Sequence, residues 1–260
     1  MGTRLIDCHT HINQFDVSEI PAVIERAREA TLGAIIAAGT TIMSSRNIVE
    51  LCETFDCVYG GVGVHPMDLT ERFDSHAISS LAEIASHPKV IVWSETGLDY
   101  LPSSPTKDLQ HESFRVQIQL AIQSELPLIV HSREADSDLL SILREEDASR
   151  VGGAWHYFQS DFDTAREAME LGFYISFAKP LLRLPQLQEV ASRIPLDNIV
   201  VETDSFPQPF KKHRDKWTEP SHVVQVVEKL AELHGIPCEE MAKITTANAL
   251  RLLRNKITLW

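Results

Sequence analysis

The sequence predicts an α/β protein folded as a single-domain (β/α)8 barrel, also called a TIM barrel. Eight apolar runs rich in β-branched residues are distributed along its 260 residues, and amphipathic stretches separate most of them. Alternating strands and helices indicate a parallel sheet with crossover helices, and such a barrel has eight strands in about 250 residues. We expect strands at Arg4–Cys8, Gly33–Ala37, Val58–Val64, Lys89–Trp93, Leu128–Val130, Gly153–Trp155, Phe173–Ser176 and Asn198–Val201.

The stretches between these runs have the period of amphipathic helices. Glu19–Thr31 and Leu109–Gln123 both repeat apolar residues three and four positions apart, which is the spacing of one helix face. An open, doubly wound sheet is the structural alternative, but it would place ligands at one or two switch points. The polar residues described below follow five different runs, and a closed barrel brings such strand ends to one mouth.

The composition limits the class of protein. No Gly/Ser linker, low-complexity tract or repeat interrupts residues 1–260, so we expect one domain. The net charge of −13 argues against a broad basic surface for duplex DNA. No apolar run approaches the ~20 residues of a membrane helix, and strand character begins by Leu5, so we expect neither a membrane segment nor a signal peptide.

The four cysteines have no paired framework, and the spacing of Cys52 and Cys57 does not match a zinc knuckle. Cys8 and Cys238 complete the set. Reduced cysteines are typical of cytosolic proteins. We therefore predict a cytoplasmic protein, and the sequence implies no obligate protein partner.

Six ligand-type side chains each follow one of the apolar runs. Four imidazoles and two carboxylates suit first-row divalent ions whose coordination is completed by water. A single such histidine is usually a hydrogen-bonded core residue, but six at strand ends predict a catalytic centre with two divalent ions. Zinc, manganese and magnesium all remain compatible. The predicted ligands are His9, His11, Glu95, His131, His156 and Asp204.

The alternation of side chains along a strand predicts which residues of the first and last motifs face the same side. Residues two apart on a strand face the same side. Asp7, His9 and His11 should therefore point together, and Cys8 should point away from them. Glu202 has the same parity as Asp204 and is expected to point into the barrel mouth or the layer below it, where it can support a ligand.

Seven short motifs, in this order and spacing, resemble those of the TatD family of metal-dependent hydrolases, TatD-type deoxyribonucleases within the amidohydrolase-like superfamily of TIM barrels. The resemblance implies that His9, His11 and Asp204 hold one metal, that His131 and His156 hold the other, and that Glu95 bridges them. It also implies removal of nucleotides from DNA ends. The motifs are Asp7–His11, Gly63–Pro66, Glu95–Tyr100, His131–Arg133, His156–Phe158, Glu202–Ser205 and Thr246–Ala249.

The chain departs from the family pattern without losing a ligand. Ser94 stands where glycine is usual, and Thr96 where isoleucine or valine is usual. Tyr157, Gln159 and Ser160 replace small residues, and Phe206 separates Ser205 from Pro207. We expect these differences to reshape the barrel mouth and so to affect substrate choice more than metal binding.

Three further residues have predicted roles in chemistry or substrate binding. Asp204 beside a metal is our choice of general base. His65 is expected either to hydrogen-bond the substrate or a metal-bound water, or to be structural. Arg133, two residues beyond His131, suits a phosphate, and its alternative is an ion pair with Glu134 or Asp136.

The only dense basic segment, Lys211–Trp217, follows the last predicted strand. Within it, Lys211, Lys212, Arg214 and Trp217 are predicted to bind a nucleic-acid strand, with the indole stacking on a base. A solvated charged loop is the alternative interpretation.

These features predict a metal-dependent phosphodiesterase that acts as an exonuclease on single-stranded DNA ends. Hydrolysis of the ester in a mischarged aminoacyl-tRNA, such as a D-aminoacyl-tRNA, is a second hypothesis, with tRNA as the partner. A small-substrate amidohydrolase is a third. Many of those enzymes bridge their metals with a carboxylated lysine, and here Glu95 stands at that strand end. A non-catalytic binding barrel is disfavoured because all six ligands are present.

Overall fold

Eight parallel strands lie side by side in chain order in the computed structural model, which describes residues 3–260. This order and the parallel pairing confirm the predicted barrel. The strands are β1 Leu5–Thr10, β2 Leu32–Ala37, β3 Val58–Val62, β4 Val90–Asp99, β5 Leu128–Arg133, β6 Gly153–Trp155, β7 Phe173–Phe177 and β8 Ile199–Val201.

Helices follow the strands and cover the outside of the barrel. They begin at local signals: the side chains of Thr41, Asp74 and Asp161 accept amide hydrogen bonds at the starts of α2, α3 and α6. Gly235 ends α8 with a φ of 66°, a left-handed conformation that glycine adopts without strain. The helices are α1 Ile20–Glu29, α2 Ile42–Thr54, α3 Ser75–Ala85, α4 Lys107–Gln123, α5 Asp136–Glu145, α6 Phe162–Glu170, α7 Pro185–Arg193, α8 Val223–His234 and α9 Cys238–Leu252.

Backbone hydrogen bonds between the end of β1 and the segment after β8 close the barrel. The amide of His11 donates to the Ser205 carbonyl at 2.8 Å, and the amide of Asp204 donates to the His9 carbonyl at 3.0 Å. An open sheet has no such contact between its first and last strands. The two ends of the chain's ligand set are therefore neighbours.

Apolar side chains fill the space between the strands and the helices, and also the barrel interior. Trp93 of β4 packs with Phe114 and Ile118 of α4 in the outer layer. Ile6 and Cys8 belong to the inner cluster, together with residues of α9. Cys52 and Cys57 are buried and Cys238 is exposed, and all four cysteines are free. No helix within residues 3–260 combines the length and the apolarity needed to cross a membrane.

Three strands continue past their apolar runs into the polar residues that follow them. β4 continues to Asp99 rather than ending at Trp93, and it pairs with β5 from Thr96↔Val130 to Asp99↔Arg133. β1 and β5 likewise include His9 and His131. The backbone ladder continues because its hydrogen bonds do not depend on side-chain polarity, and the polar side chains meet one another at the mouth.

Candidate metal centre

Glu95 lies at the centre of the predicted ligands, almost fully buried. Its Oε2 atom is 3.4 Å from Nε2 of His9 and 3.3 Å from Nε2 of His11. Its Oε1 atom is 3.0 Å from Nδ1 of His131 and 3.1 Å from Nε2 of His156. Each carboxylate oxygen therefore faces a different pair of imidazoles, as a carboxylate shared by two neighbouring ions would.

Asp204 borders only one of these pairs. Its Oδ1 atom is 3.4 Å from Nε2 of His11 and 3.9 Å from Nε2 of His9. Its side chain is 18% exposed, against 4% for Glu95. The backbone φ of Asp204 is 49°, in the left-handed region that few residues other than glycine adopt. Asp204 is thus the carboxylate of the cluster that is open to the mouth.

Two further carboxylates hold the imidazoles from behind. Oδ2 of Asp99 is 3.0 Å from Nε2 of His131, and Oε1 of Glu202 is 2.9 Å from Nδ1 of His156. In each ring the other nitrogen faces Glu95. Such partners orient metal-binding histidines and raise their basicity. Glu202 lies where strand parity placed it, whereas Asp99 was not singled out, although it has the parity of Glu95 on the same strand.

Three sets of side chains bring ligand atoms within 4.8 Å of one another. They are His9 with Glu95 and His156, His9 with His11 and Asp204, and His65 with Glu95 and His131. The six predicted ligands thus form one cluster at the mouth, and His65 joins it. This cluster is able to bind metal.

The charges in the cluster match a site for a cation. Burial opposes ionisation of Glu95, but the surrounding histidines hold its pKa well below the usual range. Burial also disfavours protonated imidazoles, yet Asp204 and Glu95 raise the pKa of His11 to about 10, and Glu202 and Glu95 raise that of His156. The buried carboxylates therefore need positive charge close by, which a bound divalent ion can supply.

His9 has the properties expected of a metal ligand. Burial lowers its pKa, and a neighbouring charge from His156 lowers it further. Its Nε2 atom is buried without a hydrogen-bond partner. Buried polar atoms are rarely left unpaired, and a neutral imidazole nitrogen aimed at two carboxylates is a suitable metal ligand. The residues therefore fit a metal centre.

His65 enters the cluster in a defined orientation. Its Nδ1 atom accepts a hydrogen bond from the amide of Met67 at 3.1 Å, and its Nε2 atom is 3.5 Å from Oε1 of Glu95. Burial lowers the pKa of His65 to about 4. A neutral ring that accepts at Nδ1 carries its proton on Nε2, so His65 presents a donor to the cluster.

The expectation that Asp7 points with His9 and His11 was wrong. Its carboxylate turns to the chain after β8, where it accepts hydrogen bonds from the amide and hydroxyl of Thr203 at 2.9 and 2.5 Å. The pairing of β1 with β2 shifts register between Asp7 and Thr10, which breaks strict alternation. Cys8 belongs to the inner apolar cluster, which fills the barrel interior, and it is not in any of the ligand sets found among the described residues.

The residues that depart from the family pattern lie either in the wall of the mouth cavity or buried beneath it. Tyr157, Gln159, Ser160 and Phe206 line the mouth cavity of about 580 Å³. Ser94 is buried beneath it, with its hydroxyl 3.5 Å from Nδ1 of His9. Thr96 is also buried. Ser94 therefore touches a ligand rather than shaping the mouth.

Arg133 lies in the wall of the mouth cavity. It is exposed and lines the mouth cavity, and the ion pairs found within residues 3–260 do not include it. The carboxylate of Asp136 instead accepts hydrogen bonds from Ser132 and Ser160. The alternative of an Arg133 ion pair with Glu134 or Asp136 is not observed.

The residues of the basic segment face different directions. Lys211 donates to Oε1 of Gln208 at 2.6 Å, beside the mouth, and Lys212 is exposed. Arg214 pairs with Glu219 at 2.8 Å and lies 4.5 Å over the ring of Trp217. The predicted strand-binding set is therefore divided, because Arg214 and Trp217 pack against each other on the side of α1.

We expect Glu219→Gln to lower the free energy of unfolding by about 2 kcal/mol at pH 7, the scale of a buried hydrogen bond to a charged group. Glu219 is buried and accepts from Arg26 at 2.7 Å as well as from Arg214. Burial opposes its ionisation, but the two guanidinium groups lower its pKa below the ordinary 4.5. The stabilisation is complete above that ordinary value and is lost as pH falls through the folded value.

Urea unfolding of parent and variant from pH 7 to pH 3 would measure this difference. The gap in unfolding free energy should be widest near neutral pH and should close in acid. Glu189→Gln, at an exposed position of α7, is the matched control and should change little. A gap that stays constant down to pH 3 would show that the ion pairs do not supply the stability.

A parallel (β/α)8 barrel with a His/Glu/Asp cluster at the carboxyl ends of its strands defines the class of metal-dependent hydrolases. The family model described as "TatD related DNase" matches residues 6–254, and the chain belongs to this family. The resemblance noted in the sequence is thereby confirmed.

Known relatives agree over nearly the full length. The chain is 39% identical over 257 residues to the uncharacterized metal-dependent hydrolase YabD of Bacillus subtilis, covering 96% of this chain and 99% of that one. It is 36% identical over 254 residues to the uncharacterized metal-dependent hydrolase YcfH of Escherichia coli K12, covering 95% of each. The crystal structure of YJJV, a TatD homolog from Escherichia coli K12, superimposes with a TM-score of 0.87 at 27% identity, covering 97% and 98%.

Proposed function

We propose that this metal-dependent hydrolase is a phosphodiesterase that removes nucleotides from single-stranded DNA ends. The observation that carries the proposal is the division of Glu95, one oxygen facing His9 and His11 and the other facing His131 and His156. A centre for two adjacent divalent ions is the arrangement used for phosphodiester displacement. The family description as a DNase supports the same reaction.

We assign the ligands to the two ions as follows. His9, His11 and Asp204 would hold one ion, His131 and His156 the other, and Glu95 both. Such ions, when bound, polarise a phosphoryl oxygen and lower the pKa of water. Zinc, manganese and magnesium all suit these donors.

The chain's own groups orient the substrate and accept the proton of the attacking water. Asp204 is the most accessible carboxylate of the cluster, so it can accept the proton of the attacking water. Arg133, without a carboxylate partner, can hold a non-bridging phosphate oxygen through its planar guanidinium group. His65 presents its Nε2 proton to the cluster, where it can donate a hydrogen bond to a substrate oxygen.

The test is a screen of the protein loaded separately with zinc, manganese and magnesium. The substrates are end-labelled single-stranded DNA, the same strand in a duplex, a D-aminoacyl-tRNA and the chromogenic diester bis(p-nitrophenyl) phosphate. We expect mononucleotides to be released from the single strand, and a chelator should abolish their release. Release of amino acid from the tRNA without cleavage of DNA or the chromogenic diester would overturn the proposal in favour of ester deacylation.

A further inference from the structure

A second cavity, of about 400 Å³, adjoins the mouth. Tyr157, Asp204 and Phe206 line both cavities, so the second begins at the metal cluster. Lys179, Arg183 and Lys211 also line it. Lys179 and Arg183 come from the chain between β7 and α7, and Lys211 from the loop after β8. We call this cavity the basic groove.

The three cations of the basic groove have no acidic partners in the part of the chain that the structure describes. Lys179 illustrates this, because burial lowers its pKa and the neighbouring charges of Lys211 and Arg183 lower it further. The whole chain carries a net charge of −13. Three cations without an ion-pair partner thus line one cavity whose only acidic lining residue is Asp204, and this excess of positive charge suits a ligand with several negative charges.

Aromatic rings complete the wall of the groove. Phe210 lines it with a relative exposure of 72%, which is unusual for a side chain of this size. Phe206 stands where the two cavities meet. An exposed ring beside a row of cations suits a single-stranded nucleic acid, whose phosphates take the charges and whose bases stack on the rings.

Tyr157 lies where the two cavities meet. Arg133 lines the mouth and Arg183 lines the groove. Cationic side chains therefore line both cavities, so a strand that enters the mouth can continue into the groove.

We propose that the basic groove binds the sugar-phosphate backbone of a single strand beyond the nucleotide held at the metal cluster, with Lys179, Arg183 and Lys211 contacting phosphates. This inference rests on the proposed function, because it takes the scissile end of the strand to lie in the mouth. It assigns strand binding to two cations outside the basic segment and to one within it. Arg214, already paired with Glu219, has no part in it.

The test compares two triple variants with equal charge change. The groove variant is Lys179→Gln/Arg183→Gln/Lys211→Gln. The control variant replaces exposed cations of α6, α9 and the chain after α9, as Arg166→Gln/Lys243→Gln/Lys256→Gln. Fluorescence anisotropy of the metal-loaded proteins measures affinity for a labelled ten-nucleotide thymidine strand whose end linkages are phosphorothioates, which resist cleavage. Titrations at several salt concentrations give the slope of log affinity against log salt.

We expect the groove variant to bind the strand at least 10-fold more weakly than the control at low salt. Its salt slope should be smaller in magnitude by about 2, since each lost phosphate contact on a single strand removes about 0.7. The single variant Arg183→Gln, at an exposed position, should remove about 0.7. It keeps the test valid if the triple variant does not fold.

The outcomes separate the groove from the proposed activity. If the groove variant and Arg183→Gln bind as the control does at every salt concentration, the groove is not a strand site, whether or not the parent cleaves DNA. If the groove variant loses binding while the parent cleaves neither DNA nor the chromogenic diester, strand binding stands and the exonuclease proposal falls. If inorganic phosphate displaces the strand when the two are present at equal concentrations, the groove binds a single anion and the inference is overturned.

Discussion

Glu95→Gln is expected to weaken metal binding by more than ~10²-fold and to reduce turnover accordingly. Loss of an outer partner alone costs 10–100-fold, and Glu95 faces four imidazoles at 3.0 to 3.4 Å. The amide has similar size, but it carries no charge and replaces one oxygen with a hydrogen-bond donor. Under the proposed assignment of Glu95 to two ions, both should lose a ligand at once. Equilibrium dialysis followed by elemental analysis would give the number of ions held and their affinity.

Thermal unfolding supplies a second measurement that does not depend on activity. A ligand that binds only the folded state stabilises it by an amount that grows with the logarithm of the ligand concentration divided by Kd, and so raises the Tm. Added metal should raise the Tm of the parent and of the exposed-site control Glu189→Gln, but not that of Glu95→Gln. If Glu95→Gln retained two ions with the parent's affinity, Glu95 would not be a shared ligand.

Asp204→Asn is expected to fold as the parent does and to lose at least ~10²-fold in turnover, the usual contribution of a general acid–base group. Asparagine matches aspartate in size and tolerates left-handed backbone, so a φ of 49° at this position does not oppose the change. The amide cannot accept a proton from the attacking water, and it is a poorer metal ligand. Turnover of the chromogenic diester is therefore measured at saturating metal, so that the loss of proton acceptance is separated from the loss of metal binding.

Asp163→Asn is the matched control, because its side chain is 74% exposed on α6. It should retain the parent's rate. Full phosphodiesterase activity of purified Asp204→Asn would refute the assignment of Asp204 as the base. A loss that disappears entirely at high metal concentration would leave Asp204 as a ligand only.

Local patterns were sufficient for the barrel, because each strand and helix has its own signal. The run Gly153–Trp155 predicted β6 without error, and the apolar face of Leu109–Gln123 predicted α4 to within two residues of its observed start at Lys107. The end of β4 was missed because the strand passes from apolar to polar residues at Ser94 while its backbone pairing with β5 continues to Asp99. The end of a strand cannot be read from its own side chains when hydrogen bonds to a neighbouring strand continue its backbone pairing.

By itself, the sequence determined the fold class, the family and the presence of six ligand-type side chains at strand ends. Only the tertiary structure decided how those groups share their contacts. It turned Asp7 towards Thr203, gave each oxygen of Glu95 its own pair of histidines, and paired Arg26 with Glu219. The physical reason is the distance along the chain. Helices and strands depend on residues a few positions apart, whereas the partners in these contacts come from segments far apart in sequence, which meet only when the barrel closes.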